Sequence, residues 1–135
     1  MLSEAGLPLP DGEDVPVRMV VLREGGRLAG CAGWERHGGV ALLRSVAVRP
    51  EAQRRGAGRE LVGAVLERAG AEGAREAVLL TTGAEAFFAG LGFVRIAREA
   101  LPPEVKGARQ VATQCCASAA CMRRGALLPP SGFSL

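Results

Sequence analysis

The most informative stretch of this chain is Gln53-Arg54-Arg55-Gly56-Ala57-Gly58. It lies between an apolar run at 42–48, which predicts a strand, and an amphipathic run at 59–71, which predicts a helix. The first N–H groups of a helix have no partner within the helix and carry the positive end of its dipole. Gly56 and Gly58 let a ligand approach the backbone closely, and the neighbouring arginines add positive charge. Together these features predict a site for a pyrophosphate.

The spacing of this stretch excludes two common nucleotide-binding motifs. A P-loop needs four residues between its glycines and then Lys and Ser or Thr, whereas a Rossmann fingerprint needs three glycines and an acidic residue about 20 positions downstream. What remains is Gln-x-x-Gly-x-Gly after an apolar strand that ends in Val46-Ala47-Val48-Arg49-Pro50. The simpler alternative is a solvent-exposed basic loop that caps a helix.

A second pattern follows downstream. Residues 76–82 predict a buried strand and 84–91 a short helix, and Gly92 suits the left-handed conformation that ends a helix. The sequence Phe-Phe-Ala-Gly-Leu-Gly-Phe at 87–93 resembles the Phe-Tyr-x-x-Leu-Gly-Phe motif of the GNAT superfamily of N-acetyltransferases. The Gln-x-x-Gly-x-Gly run resembles the acetyl-CoA signature of the same superfamily. The chain is therefore identified as a member of that superfamily over about residues 17–124.

This resemblance implies an α/β fold of the GNAT type, with a mixed central sheet flanked by helices. The sheet is expected to contain an N-terminal antiparallel meander and a splayed pair of parallel strands, with the 59–71 helix as the right-handed crossover between them. The strand after the short helix is expected to pair next to the 74–82 strand, and residues 102–108 predict a further short helix. Strands are predicted at 17–24, 27–36, 40–48, 74–82, 93–98 and 119–124.

The N-terminal part is expected to be shortened, because few residues precede Val17. Residues 2–7 predict the end of a helix that is stopped by Pro8 and Pro10. The first strand and most of the first helix of the family are then expected to be missing. Because helices of that region normally form one wall of the acceptor site, the shape of the acceptor pocket is left open. Residues 1–126 are expected to form a single acetyltransferase domain, and 127–135 a loose tail.

Composition limits the other function classes. The length of 135 residues fits one domain, and the 48% of hydrophobic residues support a core that is mostly aliphatic, because Tyr is absent. A net charge of +3 is too small to indicate nucleic-acid binding. Neither a membrane span of about 18 apolar residues nor a signal peptide is predicted. The cysteines lack the paired spacing of a zinc site, so we expect a reduced, cytoplasmic protein without a metal. The expected partner is a small-molecule amine acceptor, and a homodimer is left open.

The resemblance implies acetyl-CoA as co-substrate and assigns most of its contacts to backbone groups. Backbone groups of Val46 and Val48 are implied to pair with the pantetheine arm, and the N–H of Val46 or Ala47 to donate to the thioester oxygen. Phe88 stands where many relatives carry the Tyr that protonates the leaving thiolate, so it is expected to pack against the pantetheine or the core. Thr82, water or a cysteine is left as the proton donor. The pyrophosphate is implied to bind at Arg54, Arg55, Gly56, Ala57, Gly58 and Arg59.

Three charged residues are candidates for the acceptor side. Glu35 is the expected general base, with an exposed hairpin charge as the alternative. His37 has a side chain whose ordinary pKa suits a base, but its glycine-rich turn predicts an exposed surface residue. Arg44 lies within an apolar strand, where a charge is costly to bury without a partner. It is expected either to clamp an acceptor carboxylate or to form an internal salt bridge, for instance with Glu35.

Further motifs indicate a branch of the superfamily. Leu43-Arg44-Ser45-x-Ala47-Val48 and the Cys-x-x-Ser-Ala-x-Cys-Met run at 115–122 resemble the small N-acetyltransferases of bacterial arsenic-resistance operons. The Thr81-Thr82 region resembles the acetyltransferase domain of N-acetylglutamate synthases. Both resemblances imply an amino acid or amino-acid-like acceptor. Two alternatives remain open: a CoA-binding relative that transfers nothing, and a soft-metal or arsenite-binding protein that uses Cys115, Cys116 and Cys121.

Overall fold

A seven-stranded mixed sheet forms the centre of the computed structural model, which describes residues 2–7, 17–53, 55–106 and 119–125. The strands follow the order β1-β2-β3-β4-β5-β7-β6 across the sheet. They are β1 (Leu2–Leu7), β2 (Val17–Glu24), β3 (Arg27–His37), β4 (Val40–Val48), β5 (Glu76–Thr81), β6 (Val94–Ile96) and β7 (Ala120–Arg124). The helices are α1 (Pro50–Gln53), α2 (Ala57–Ala71), α3 (Glu85–Ala89) and α4 (Pro103–Lys106), with a 3₁₀ turn at Arg98–Ala100.

The antiparallel meander of β2, β3 and β4 is confirmed. The hairpin between β2 and β3 turns through Gly25 and Gly26, whose φ angles of 60° and 81° suit the two-residue turns that match strand twist. The helix α2 then connects β4 to β5, which pair in parallel. The short helix α1, immediately before the glycine turn, was not predicted. None of the helices within the described residues combines the length and hydropathy needed to cross a bilayer.

The strand β1 corrects the expectation of a helix end at the N-terminus. It pairs antiparallel with β2, in a register that runs from Leu2 opposite Leu22 to Leu7 opposite Val17. A strand is therefore present at this edge of the sheet, where none was expected. The two prolines that suggested a helix stop are equally suited to follow a strand, since proline cannot donate to a sheet ladder. Residues 8–16 lie outside the described residues.

The position of β7 corrects a second expectation. The strand after α3 was predicted to pair with β5, but β7 lies between β5 and β6 and is antiparallel to both. Burial explains this order. The residues Ala120, Cys121 and Met122 of β7 are buried, whereas β6 has only three residues and exposes 59% of Val94. A short, exposed strand suits the edge of a sheet, and an apolar one its interior.

The two faces of the sheet carry separate apolar clusters. The larger cluster lies under α2 and includes Ala32, Trp34, Ala41 and Leu43. The smaller cluster includes Val40 and Leu42, the alternating residues of β4, and is covered by Leu101 and Val105. Side chains alternate across a strand, so a residue next to a member of one cluster points to the opposite face. Glu35, next to Trp34, and Arg44, next to Leu43, therefore lie on the face opposite α2.

A bulge and a splay shape β4. Cys31 faces Ala47 and Gly33 faces Arg44, so β4 contains one more residue than β3 between these pairs. Such a bulge reverses the alternation, which is why Val46 and Val48 pack on the cluster under α2. The parallel ladder with β5 ends at the pair Leu42 and Val78. The predicted splay of the two parallel strands is therefore confirmed.

Gly30 allows the bulged strand to lie close to α2, and its replacement tests this packing. A Cβ at Gly30 would lie 2.7 Å from the carbonyl oxygen of Ala47 and 2.9 Å from Cδ1 of Leu61. We expect Gly30→Ala to lower the free energy of unfolding by about 1–3 kcal/mol, as overpacked cores do. Urea denaturation measures this change.

The matched control is Gly63→Ala, which lies in α2 and would meet no atom of the described residues within 4 Å. It is expected to raise the free energy of unfolding by up to about 1 kcal/mol, because alanine favours helices. A Gly30→Ala protein as stable as the wild type would contradict the packing described here.

Candidate active site

A cleft of about 700 Å³ opens where β4 and β5 separate. Leu79 of its lining belongs to the cluster under α2 and Leu80 to the cluster on the opposite face, so the cleft passes through the sheet. A ligand could therefore enter from one face and meet a second molecule from the other. The lining consists of Leu43, Arg44, Val46, Val48, Gln53, Gly58, Leu79, Leu80, Thr81, Thr82, Gly83, Ala84, Phe87 and Phe88.

The N-terminus of α2 lies at this cleft. Gly56 is its N-cap residue, with a φ of 78°, and no side chain of the described residues caps the helix. A Cβ at Gly56 would meet no described atom within 4 Å, so the space beside the turn is open. Arg59 is exposed, and Arg55 pairs with Glu24 at 2.5 Å. Because the first helical N–H groups lack partners within the helix, the turn is suited to an anion.

The remaining members of the glycine turn differ in their positions. Ala57 is buried against the core, and Gly58 is both buried and part of the cleft lining. Arg54 lies outside the described residues. The side-chain amide of Gln53 donates to the carbonyl oxygen of Val48 at 3.0 Å. This bond ties α1 to the end of β4 and holds the turn next to the strand.

The end of β4 forms one wall of the cleft. Val46 and Val48 line it, while the side chain of Ala47 is exposed. On the opposite wall, β5 ends at Thr81, and Thr82 follows it in the lining. The backbone of β4 beyond Leu42 no longer pairs with β5, so its inner edge faces the cleft.

Two phenylalanines of α3 close the cleft on the side of α2. Phe88 is buried, and its ring centroid lies 5.7 Å from that of Phe93. It was expected to pack against either the pantetheine or the core, and it packs in the core. Phe87 is 39% exposed, and its Cζ atom would lie 3.0 Å from a Cβ at Gly58. Phe87 was not predicted as a cleft residue. The adjacent aromatic pair was the available signal, since only one of the two could enter the core.

Glu35, His37 and Arg44 form one connected cluster on the sheet face opposite α2. The Oε2 of Glu35 accepts from Nη1 of Arg44, and its Oε1 lies 2.8 Å from Nε2 of His37. Glu35 is only 1% exposed, so it is not the solvated hairpin charge offered as the alternative to a base. His37 ends β3 and its side chain is 11% exposed, which corrects the expectation of an exposed histidine in a turn. Arg44 is 28% exposed and lines the cleft.

Two of the three cysteines offered for soft-metal binding are not among the described residues. Cys115 and Cys116 lie outside the described residues, and Cys121 is buried in β7. Within residues 2–7, 17–53, 55–106 and 119–125, no group of three or more His, Cys, Asp or Glu is arranged to hold a metal ion. The polar side chains of the cleft lining are those of Arg44, Gln53, Thr81 and Thr82.

Comparison with known proteins agrees with this geometry. The profile of the acetyltransferase (GNAT) family matches residues 5–93. No curated protein matches the chain. Among solved structures, N-acetylglutamate synthase from Neisseria gonorrhoeae, complexed with coenzyme A and N-acetyl-glutamate, superimposes with a TM-score of 0.69 at 23% identity. That match covers 80% of this chain but only 25% of the synthase, so this chain spans about a quarter of its length.

Two further structures resemble most of the chain. The putative acyl-CoA N-acyltransferase from Klebsiella pneumoniae has a TM-score of 0.70 at 16% identity. The match covers 93% of this chain and 98% of the Klebsiella chain. Rv2747 from Mycobacterium tuberculosis, solved in complex with CoA, has a TM-score of 0.68 at 22% identity and covers 79% and 75%. At these identities the similarity establishes the fold. With the profile match over more than half of the sequence, the chain belongs to the acetyltransferase (GNAT) family.

Proposed function

We propose that this protein transfers the acetyl group of acetyl-CoA to the amino group of an amino acid or an amino-acid-like small molecule. The observation that carries the proposal is a cleft that passes through the sheet, with an uncapped helix N-terminus on one side and the guanidinium of Arg44 on the other. The first end suits a pyrophosphate and the second a carboxylate. The test is acetyl-CoA turnover against a panel of amino acids.

In this proposal the coenzyme lies along the end of β4. Backbone groups of Val46 and Val48 pair with the amides of the pantetheine arm, because that edge of β4 has left its ladder with β5. The amide N–H groups from Ala57 to Arg59 and the side chains of the turn hold the pyrophosphate. Phe87 and Phe88 enclose the arm on the opposite side. Several structural neighbours were solved with coenzyme A, which supports this site.

The reaction follows from these positions. The neutral amine attacks the thioester carbonyl, and the N–H of Val46 or Ala47 stabilises the negative charge that develops on the oxygen. The carbon–sulfur bond then breaks, the amine proton passes to water, and the thiolate takes a proton from water or from the hydroxyl of Thr82. Glu35 was expected to remove the amine proton. Its burial and its contacts with Arg44 and His37 instead favour a role in positioning Arg44.

The acceptor is proposed from the charge of Arg44. The N-acetylglutamate synthase of Neisseria gonorrhoeae was solved with N-acetyl-glutamate, a carboxylate-bearing molecule, which supports an amino-acid acceptor. The link to arsenic resistance rests on the sequence resemblance alone, and the cytoplasmic location on the cysteine pattern. The alternative that binds CoA without transfer is distinguished by the same panel, because it would bind the coenzyme and acetylate nothing.

Gly56→Glu tests the coenzyme site. The new side chain would bring a negative charge into the open space beside the α2 N-terminus, where the phosphates are proposed to bind. We expect loss of CoA binding by isothermal titration calorimetry. The control is Gly26→Glu, which replaces another exposed glycine of similar φ, 81°, in the hairpin between β2 and β3. Equal CoA affinity in the two variants would contradict the site.

Arg44→Ala tests acceptor recognition. A charge-assisted contact is worth about 1.5–3 kcal/mol, so we expect the acceptor KM to rise roughly 10- to 150-fold. The KM of acetyl-CoA is expected to change much less, because the phosphates bind elsewhere. Steady-state kinetics with each substrate varied in turn measure both values. A parallel rise in both KM values, or unfolding without a selective change, would favour a purely structural ion pair.

The pH dependence of kcat/KM tests the absence of a phenolic acid. We expect the profile to rise with deprotonation of the acceptor amine. It should show no falling limb near pH 10, because tyrosine, whose ordinary pKa is about 10, is absent from this chain. Phe88→Tyr restores a phenol at the position used by many relatives and is expected to add a falling limb there. A falling limb in the wild-type protein would mean that another acidic group donates the proton.

A further inference from the structure

Glu35 is the most deeply buried acidic residue among those described, and the proposed reaction does not use it directly. It is 1% exposed and is not part of the cleft lining. Both of its carboxylate oxygens are engaged, one by Arg44 and the other by His37. A buried carboxylate is costly unless it is paired and hydrogen-bonded, so these two contacts account for its presence in β3.

The same contacts constrain Arg44. A guanidinium has five N–H donors in a rigid fork, and Glu35 engages Nη1. The remaining donors belong to a side chain that lines the cleft and is 28% exposed. An arginine side chain loses much rotamer freedom when it binds a ligand, and this cost falls when the side chain is already held in place. Glu35 holds it from the side away from the cleft.

His37 is placed to fix Glu35 in turn. It lies two residues further along β3 on the same face, and its Nε2 is 2.8 Å from Oε1 of Glu35. Its partner in the neighbouring strand is Val40, and the partner of Glu35 is Leu42. Both belong to the apolar cluster under Leu101 and Val105, so this pair of polar residues is bounded by a packed surface. The carboxylate of Glu35 thus has two fixed contacts and little room to rotate.

We propose that Glu35 and His37 are positioning residues that hold the Arg44 guanidinium in the geometry that recognises the acceptor carboxylate. The inference rests on the proposed function, because it requires that Arg44 meets an acceptor carboxylate. The negative charge of Glu35 weakens the long-range attraction of Arg44 for anions. The fixed orientation makes the recognition specific for a carboxylate that approaches from the cleft.

The readout is the ratio of kcat/KM for the best amino acid of the panel to that for its carboxamide analogue. A residue with a merely structural role lowers both values, whereas a residue that acts on carboxylate recognition lowers the ratio. We expect Glu35→Leu to reduce the ratio roughly tenfold or more, as misplacement of about 1 Å does at other sites. His37→Leu, at a position less central to the cluster, is expected to reduce it less. In the Glu35→Gln variant the side-chain amide oxygen can still accept from Arg44, so most of the wild-type ratio is expected to remain.

Glu76 provides the matched control. It is also a buried glutamate in a central strand, but its arginine partner, Arg123, does not line the cleft, whereas Arg44 does. Glu76→Leu therefore removes an equivalent carboxylate–arginine contact and is expected to leave the ratio unchanged. Thermal unfolding and CoA affinity are measured for every variant. If Glu35→Leu does not fold, His37→Leu decides the outcome, because it leaves the Arg44 to Glu35 contact in place.

The possible results separate this inference from the proposed function. If Arg44→Ala lowers the ratio while Glu35→Leu and His37→Leu do not, the positioning role is wrong and the function stands. If Glu35→Gln slows both acceptors equally by about 10²–10⁴-fold, Glu35 is the general base and the inference is wrong. If the wild type has no preference for the carboxylate, or Arg44→Ala keeps it, the proposed acceptor recognition fails and the inference fails with it.

Discussion

Beyond Leu42 and Val78, the strands β4 and β5 no longer pair with each other, although both continue for several residues. Backbone N–H and C=O groups along the inner edge of β4 therefore face a cleft instead of a ladder. Unpaired backbone groups are costly when they are dry, so such an edge is stable only when water or a ligand supplies the partners. An extended molecule that carries amides is a suitable partner, because it can take the place of a strand.

The other parts of the cleft depend on this separation. The bulge opposite Cys31 and Gly33 directs Val46 and Val48 toward the α2 side, while Arg44 remains on the opposite face with Leu42. The crossover through α2 brings an uncapped helix N-terminus to the same opening. The separation of β4 from β5 thus brings together the start of α2, an edge of β4 that does not pair with β5 and the guanidinium of Arg44. This arrangement accounts for how the proposed transfer between two substrates needs few catalytic side chains.

Much of this could be predicted from sequence, for identifiable reasons. The bounds of β2 and β4 follow from apolar runs that each have a glycine turn at one end and a proline at the other, and the α2 turn follows from its glycines. The place of β7 between β5 and β6 could not be predicted, because strand order depends on how deeply each strand is buried, and the pattern of a single strand does not reveal this. The pairing of Glu35 with both Arg44 and His37 was only partly expected. A bulge and the sheet register set which side chains meet, and neither leaves a clear signal in one sequence.

The central claim is that the cleft between β4 and β5 binds CoA with its phosphates at the start of α2. An NMR titration of the isotope-labelled protein with CoA tests it most directly, because each backbone amide reports separately. The account predicts saturable shifts at the amides of Val46, Ala47 and Val48 and at those from Gly56 to Arg59, with small changes in β1. Saturable shifts confined to other surfaces, such as that around Arg95 and Arg98, or none at the α2 N-terminus, would contradict it.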